Sequence, residues 1–169
     1  MKTVYIVRHA KSSWEHPHLS DHDRPLLNKG KNRTKLIGQY LVRNKISVDQ
    51  IISSSAVRAY ETAKIIAKSI GYPVDDIQIE RGIYHTDVER LVDSLYGLSN
   101  NIQSVMFFGH NPTFTYFANE WLDEKIDWLP TSALAGISFD TDNWNKLARA
   151  KHKTEIYVTP RMLKSLKRG

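Results

Sequence analysis

Four side chains in this sequence can do chemistry together: Arg8, His9, Arg58 and His110. A guanidinium fork binds two oxygens of a phosphoryl group at once, so two forks can hold one group from two sides. A neutral imidazole can attack phosphorus and carry it as a phospho-enzyme. A second imidazole, protonated, can stabilise the charge on the equatorial oxygens. The set needs no metal and no cofactor. Alone, Arg8-His9 reads equally well as a solvated surface pair. The return of Arg58 and His110 in similar contexts favours the chemical reading.

Those contexts are strand ends. Val4, Tyr5, Ile6 and Val7 are β-branched or aromatic and predict a buried strand within residues 2–9 that runs straight into Arg8-His9. Residues 49–54 predict a second strand. The helix after it repeats apolar residues at Ala59, Ala63, Ile66, Ala67 and Ile70, and Gly71 closes it. Arg58 falls in that helix's first turn, where the macrodipole disfavours a cation and a bound anion would offset the cost. Ser104–Phe108 predicts a third strand, with Gly109-His110-Asn111-Pro112 at its end. Pro112 suits a helix start, and Phe114, Phe117, Ala118, Trp121 and Leu122 supply that helix's apolar face. In an open α/β sheet, ligands bind beyond the carboxyl ends of the strands. Three parallel strands would bring all four side chains to one edge.

The remaining elements are read from periodicity. Residues 10–28 are polar and irregular, and Asn28 is a plausible N-cap. The next helix carries Leu36, Ile37, Tyr40 and Leu41 on one face, weakened by Gly30 and Gly38. Ile77 and Ile79 suggest a brief strand. Val88, Leu91, Val92, Leu95 and Leu98 give an amphipathic helix with Asp87 as its cap. Residues 134–139 and about 146–158 read as two strands joined at Thr141-Asp142-Asn143. The basic tail, 161–169, is helical or frayed. Alternating strands and helices predict an α/β fold, a sandwich with a mostly parallel central sheet flanked by helices.

Composition narrows the function classes. The 169 residues suit a single domain over 1–169, and the chain is 41% hydrophobic and 25% charged, ordinary for a globular protein. It has no Cys, which excludes thiol catalysis and zinc–thiolate sites. No apolar run reaches the length of a membrane span, and one Lys followed by a strand lacks the layout of a secretion signal. A cytoplasmic protein without a membrane partner is the expectation. The net charge of +6 favours an anionic partner: a phosphorylated substrate, an acidic protein surface or nucleic acid.

Four pieces of the chain carry a resemblance. They are Val7-Arg8-His9-Ala10-Lys11-Ser12-Ser13-Trp14, Asp23-Arg24-Pro25-Leu26, Ser53-Ser54-Ser55-Ala56-Val57-Arg58-Ala59-Tyr60-Glu61-Thr62-Ala63 and Gly109-His110-Asn111-Pro112, in order over residues 7–112. Together they resemble the histidine phosphatase superfamily, and more narrowly its SixA-like phosphohistidine phosphatases. The resemblance implies a three-layer, phosphoglycerate mutase-like fold and a metal-independent phosphohydrolase without cofactors. It implies His9 as the phosphorylated nucleophile, with Arg8, Arg58 and His110 completing the phosphate pocket. Ser12 and Asn111, within the matching pieces, are further candidates for substrate binding. Ala10 is a mild departure, since the family's usual residue there is Gly.

Many superfamily members also keep a Glu or Asp as general acid, and here the matching position is His85. Glu80 and Asp87 are its carboxylate neighbours in sequence. A phosphate ester's leaving group needs a proton, whereas the imidazole of phosphohistidine binds one with a pKa of about 6.5. The absent carboxylate therefore fits phosphohistidine on a protein. A small phosphorylated metabolite is the alternative substrate, and a phosphoprotein- or nucleic-acid-binding domain the alternative outside enzymes. His16, His18, His22, Asp21 and Asp23 match no tight metal-site spacing and read as a solvated loop. Lys146, Arg149, Lys151 and Lys153 lack the aromatic interleaving of a single-strand nucleic-acid platform. Trp14 and Tyr84 read equally as pocket rim or as packing.

Overall fold

The computed structural model describes residues 1–167. Its core is one six-stranded sheet of order β3-β2-β4-β1-β5-β6, with β1 Lys2–Arg8, β2 Gln50–Ser54, β3 Gln78–Glu80, β4 Ser104–Gly109, β5 Leu134–Phe139 and β6 His152–Val158. The strands β3, β2, β4 and β1 run parallel; β5 pairs antiparallel with β1, and β6 antiparallel with β5. The helices are α1 Asn28–Arg43, α2 Val57–Ile70, α3 Val88–Tyr96, α4 Thr113–Asn119 and α5 Pro160–Lys167.

The period-2 alternation of the strands builds two cores, one on each face. Val4 and Ile6 of β1, with Val105 and Phe107 of β4, join Leu91 and Leu95 of α3 and Phe114 and Phe117 of α4. Tyr5 and Val7, with Met106 and Phe108, face Ile37 and Leu41 of α1, Ala63 and Ile66 of α2 and Leu163 of α5. This is the expected three-layer sandwich. Asp87 caps α3 as predicted, accepting from the Arg90 amide at 2.9 Å, and Gly71 closes α2 at φ 75°. No described helix is long and apolar enough to cross a membrane.

Several local expectations are corrected. Asn28 is the first helical residue of α1, and Leu27 takes the cap position without a side-chain bond. The helix tolerates Gly30 and Gly38 because each is a point of close approach. A Cβ at Gly30 would overlap the Lys11 carbonyl, and one at Gly38 would overlap the Ser69 hydroxyl. The sixth strand starts at His152, not near 146. Trp144–Arg149 forms a 3₁₀ turn instead, because Trp144 and Leu147, spaced i, i+3, are both buried and the Trp144 Nε1 donates to the Ile102 carbonyl at 2.8 Å. Helix α4 ends at Asn119, so Trp121 and Leu122 enter the core from the turn beyond it. The tail is helical through Lys167; residues 168–169 lie outside the described ones.

Strand register sets the two histidines side by side. Arg8 pairs with Gly109 and Ser53 with Phe108, so His9 and His110 leave adjacent parallel strands together, next to the Ser54 end of β2.

Candidate active site

The structure brings Arg8, His9, Arg58 and His110 to one cleft of about 690 Å³ at the carboxyl ends of β1, β2 and β4. His9 is 8% exposed, and its ring centroid lies 5.2 Å from that of His110. His9 Nδ1 sits 2.7 Å from the Ala10 carbonyl oxygen. A carbonyl can only accept, so Nδ1 carries the proton and Nε2 keeps its lone pair. The Ala10 amide donates to Thr62 Oγ1 at 2.8 Å, and that hydroxyl donates to the Arg58 carbonyl at 2.7 Å. These bonds lock the first turn of α2 to the loop that holds His9. His110 pairs through Nε2 with Ser54 Oγ at 2.7 Å.

Two residues to which the sequence assigns no role complete the site. Arg24 is buried; it donates from Nη1 to Ser12 Oγ at 2.9 Å and lies 3.5 Å above the Trp14 ring. Asp21 joins the cations. Its Oδ1 accepts from Arg24 Nε at 3.1 Å and its Oδ2 from Arg58 Nη2 at 3.0 Å, while its carbonyl accepts from Arg58 Nη1 at 2.7 Å. The Tyr84 hydroxyl also donates to Asp21 Oδ2. The signal for both was the Asp23-Arg24-Pro25-Leu26 piece and the acidic residue just before it. Asp21 weighed there only as a metal ligand.

Burial and the arginines set the charge states. His9 is lowered to about 3, first by burial and then by Arg58, Arg8 and Arg24, with the Ala10 bond opposing. His110 is lowered to about 2, first by burial and then by His9 and Arg58. Both imidazoles are therefore neutral near pH 7 in the free protein. The Tyr84 hydrogen bond, helped by Arg58 and Arg24, holds Asp21 down at about 2. Burial and Arg58 lower Arg8, which stays a cation. Among the described residues, three buried side-chain polar atoms have no hydrogen-bond partner: Arg8 Nε, Arg58 Nε and His110 Nδ1. All three belong to the cleft. Buried polar groups are normally paired, and the two idle guanidinium Nε–H donors make the cleft a candidate anion site.

The other expected residues divide. Ser12 is buried, lines the cleft and accepts from Arg24, so its own proton is free to donate. Asn111 borders the cleft, but its side chain turns into the fold. Its Oδ1 accepts from the Thr115 amide and hydroxyl, and its Nδ2 donates to the Leu129 carbonyl at 2.8 Å. Arg8 Nη1 donates to that same carbonyl at 3.2 Å, so the two side chains share one acceptor. His85 is exposed and does not line the cleft; its ring lies 4.2 Å from that of Tyr84, which stands edge-on to His110 at 5.4 Å. Glu80 accepts from Gln78, and Asp87 is spent on its cap. His22 pairs with Asp23 and Ser55, each at 3.0 Å. Trp14 lies on the rim, 77% exposed.

The sequence matches the model of the histidine phosphatase superfamily (branch 1) over residues 4–88. The phosphohistidine phosphatase SixA of Escherichia coli is 26% identical, over 83% of this chain and 91% of its own. An uncharacterized protein of Mycobacterium leprae is 29% identical, over 92% of this chain and its whole length. The structure of protein histidine phosphatase SixA complexed with tungstate superposes with a TM-score of 0.80 at 23% identity, covering 95% of this chain and 99% of that one.

Proposed function

Because the chain belongs to the histidine phosphatase superfamily, we propose that it removes phosphoryl groups from phosphohistidine on proteins through a phospho-His9 intermediate. One observation carries the reading: a buried, neutral His9 presents Nε2 in a cleft where Arg8 and Arg58 each hold an unpaired Nε–H donor. In the first step Nε2 attacks phosphorus in line, the bond from phosphorus to the substrate imidazole breaks, and that imidazole leaves with its proton. The bond from Nδ1–H to the Ala10 carbonyl strengthens as the His9 ring becomes positive. Arg8, Arg58 and His110 take the non-bridging oxygens, and Ser12 is placed to add a hydroxyl. In the second step water attacks the phospho-imidazole, inorganic phosphate forms, and His9 leaves neutral. No metal or cofactor enters either step.

The substrate class rests on the leaving group. Asp21 cannot serve as general acid, because at about 2 it holds no proton near neutral pH. A leaving imidazole supplies its own basicity, whereas an alkoxide does not. The inferred partner is a cytoplasmic protein bearing phosphohistidine.

The test is a chemical quench. Protein stopped in alkaline detergent after labelled substrate should hold phosphate that survives base and is lost in acid, and His9→Ala should hold none and lose turnover. Turnover surviving in His9→Ala refutes the intermediate. A screen in which phosphate esters of small metabolites turn over faster than protein phosphohistidine refutes the substrate class.

A further inference from the structure

Beside the catalytic cleft lies a second hollow of about 420 Å³, lined by Arg33, Pro130, Thr131, Thr159, Arg161 and Lys164. Arg33 and Thr131 line both, so the two hollows adjoin. The surface between them is basic. Lys11 lies on the cleft side, and Lys29 stands against it, one helical turn before Arg33 on α1. Arg161 and Lys164 project from α5, which packs on α1. Among the described residues, no carboxylate lies within ion-pair distance of any of these five cations. Among the described residues, no acidic side chain lines the second hollow. The crowding has a cost: Lys29 pushes the Lys11 pKa down, and Arg33 adds to the push.

We propose that this strip, Lys11-Lys29-Arg33-Arg161-Lys164, is the docking surface for an acidic segment of the phosphohistidine-bearing protein. The inference rests on the phosphohistidine reading and names the kind of partner that reading needs. A chain whose phosphohistidine enters the cleft must continue over its rim, and the exit past Thr131 and Arg33 runs onto unpaired cations. Asp and Glu side chains there would relieve the like-charge crowding and steer encounter. The strip begins where the phosphoryl pocket ends. It would therefore act on binding of extended substrates and leave the reacting group untouched.

The test uses the full chain and the double substitution Arg161→Glu with Lys164→Glu, both exposed and outside the cleft. The probes are a phosphohistidine peptide flanked by Asp and Glu, its counterpart flanked by Ser and Gly, and free phosphohistidine. The unmodified protein should show a lower KM for the acidic peptide than for the neutral one. The double substitution should raise the acidic peptide's KM about tenfold with kcat held, since each exposed pair contributes a modest amount. It should leave the other two probes unchanged. Salt near 0.5 M should close the gap, because the screening length then falls to a few ångströms. An equal effect on all three probes, or none on the acidic peptide, overturns the proposal. Fluorescence anisotropy of the unphosphorylated acidic peptide tests the strip separately: loss of its binding in the double variant supports docking even where no phosphohistidine probe turns over, an outcome that would refute only the phosphohistidine reading. A single-stranded oligonucleotide that displaces the peptide at lower concentration would assign the strip to nucleic acid and overturn the proposal.

Discussion

Acidification should strain this fold at its catalytic centre. His9 and His110 titrate near 6.5 in an unfolded chain, but burial and the surrounding arginines lower them to about 3 and about 2 in the fold. Above pH 6.5 neither state binds the protons. Below it, the unfolded chain takes up two that the fold refuses, so stability falls as pH falls from about 6.5 towards 3. Each proton contributes a slope of about 1.36 kcal/mol per pH unit once its group is well below the unfolded value. Between pH 7 and 4.5 the pair should cost roughly 5 kcal/mol, a figure that needs only both folded values to stay below about 4. That is a large share of the usual stability of a domain, about 5–15 kcal/mol. Asp21, lowered to about 2, adds its own loss only at lower pH. Urea unfolding at pH 7, 6, 5 and 4.5, with the free energy extrapolated to water, measures the loss. The double variant His9→Gln with His110→Gln keeps neutral amides in place and should lose roughly 5 kcal/mol less over the same range. A wild-type loss below about 1 kcal/mol, or an equal loss in the double variant, would show that the two histidines are protonated in the fold and would remove the basis for a neutral nucleophile.

Asp21→Ala frees Arg24 Nε and one amine of Arg58 while the Asp21 carbonyl still holds Arg58; kcat/KM should fall by about 10- to 30-fold, as for a lost charge-assisted bond. Asp21→Asn, which keeps one acceptor, should lose less. Leu95→Ala, fully buried in the α3 layer, should cost about 2–5 kcal/mol in denaturant melts, and a cost below about 0.5 kcal/mol would contradict its place in the core. His85 lies outside the cleft against Tyr84, so His85→Ala should depress ester and phosphohistidine hydrolysis alike and by less than about tenfold in steady-state assays. A loss of roughly 10²-fold confined to esters would make His85 a proton donor and contradict this placement.

The sequence exposed what is local and periodic. Strand β1 and helix α3 were legible because Val4–Val7 and Val88–Leu98 carry their own period, and the four site residues because each directly follows such an element. What escaped depends on distant partners. Asn111 looked like a ligand contact, and only Leu129, 18 residues on, draws its amide inward. Asp21 looked like loop charge until Arg58, 37 residues on, came to it. Leu147 sat inside an expected strand and Trp144 just before it, and the buried surface beside α3 selected a helical turn over both. In the sequence, Lys2 figured only as the single charge ahead of the first strand. It is fully buried, with its ammonium bound to the Asn100 and Ile102 carbonyls at 2.7 and 2.8 Å, because a flexible stem can reach acceptors no local pattern announces.

Binding and activation have one cause in this cleft. The arginines that would bind a phosphoryl group are also among the charges that keep His9 unprotonated. The nucleophile is therefore ready before substrate arrives, and near neutral pH its lone pair has no competing proton. An arriving dianion reverses the local field. It offsets the arginines, pairs the idle Nε–H groups of Arg8 and Arg58, and raises the proton affinity of both imidazoles. In the proposed reaction His9 would meet that rise by bonding to phosphorus, where a proton would otherwise go, and His110 would meet it by hydrogen bonding to a phosphoryl oxygen through Nδ1. Asp21 keeps the balance by holding Arg58 and Arg24 with a carboxylate that stays charged throughout. Since His9 leaves neutral in the proposed second step, phosphate release would return the site to its starting charge state without an outside base.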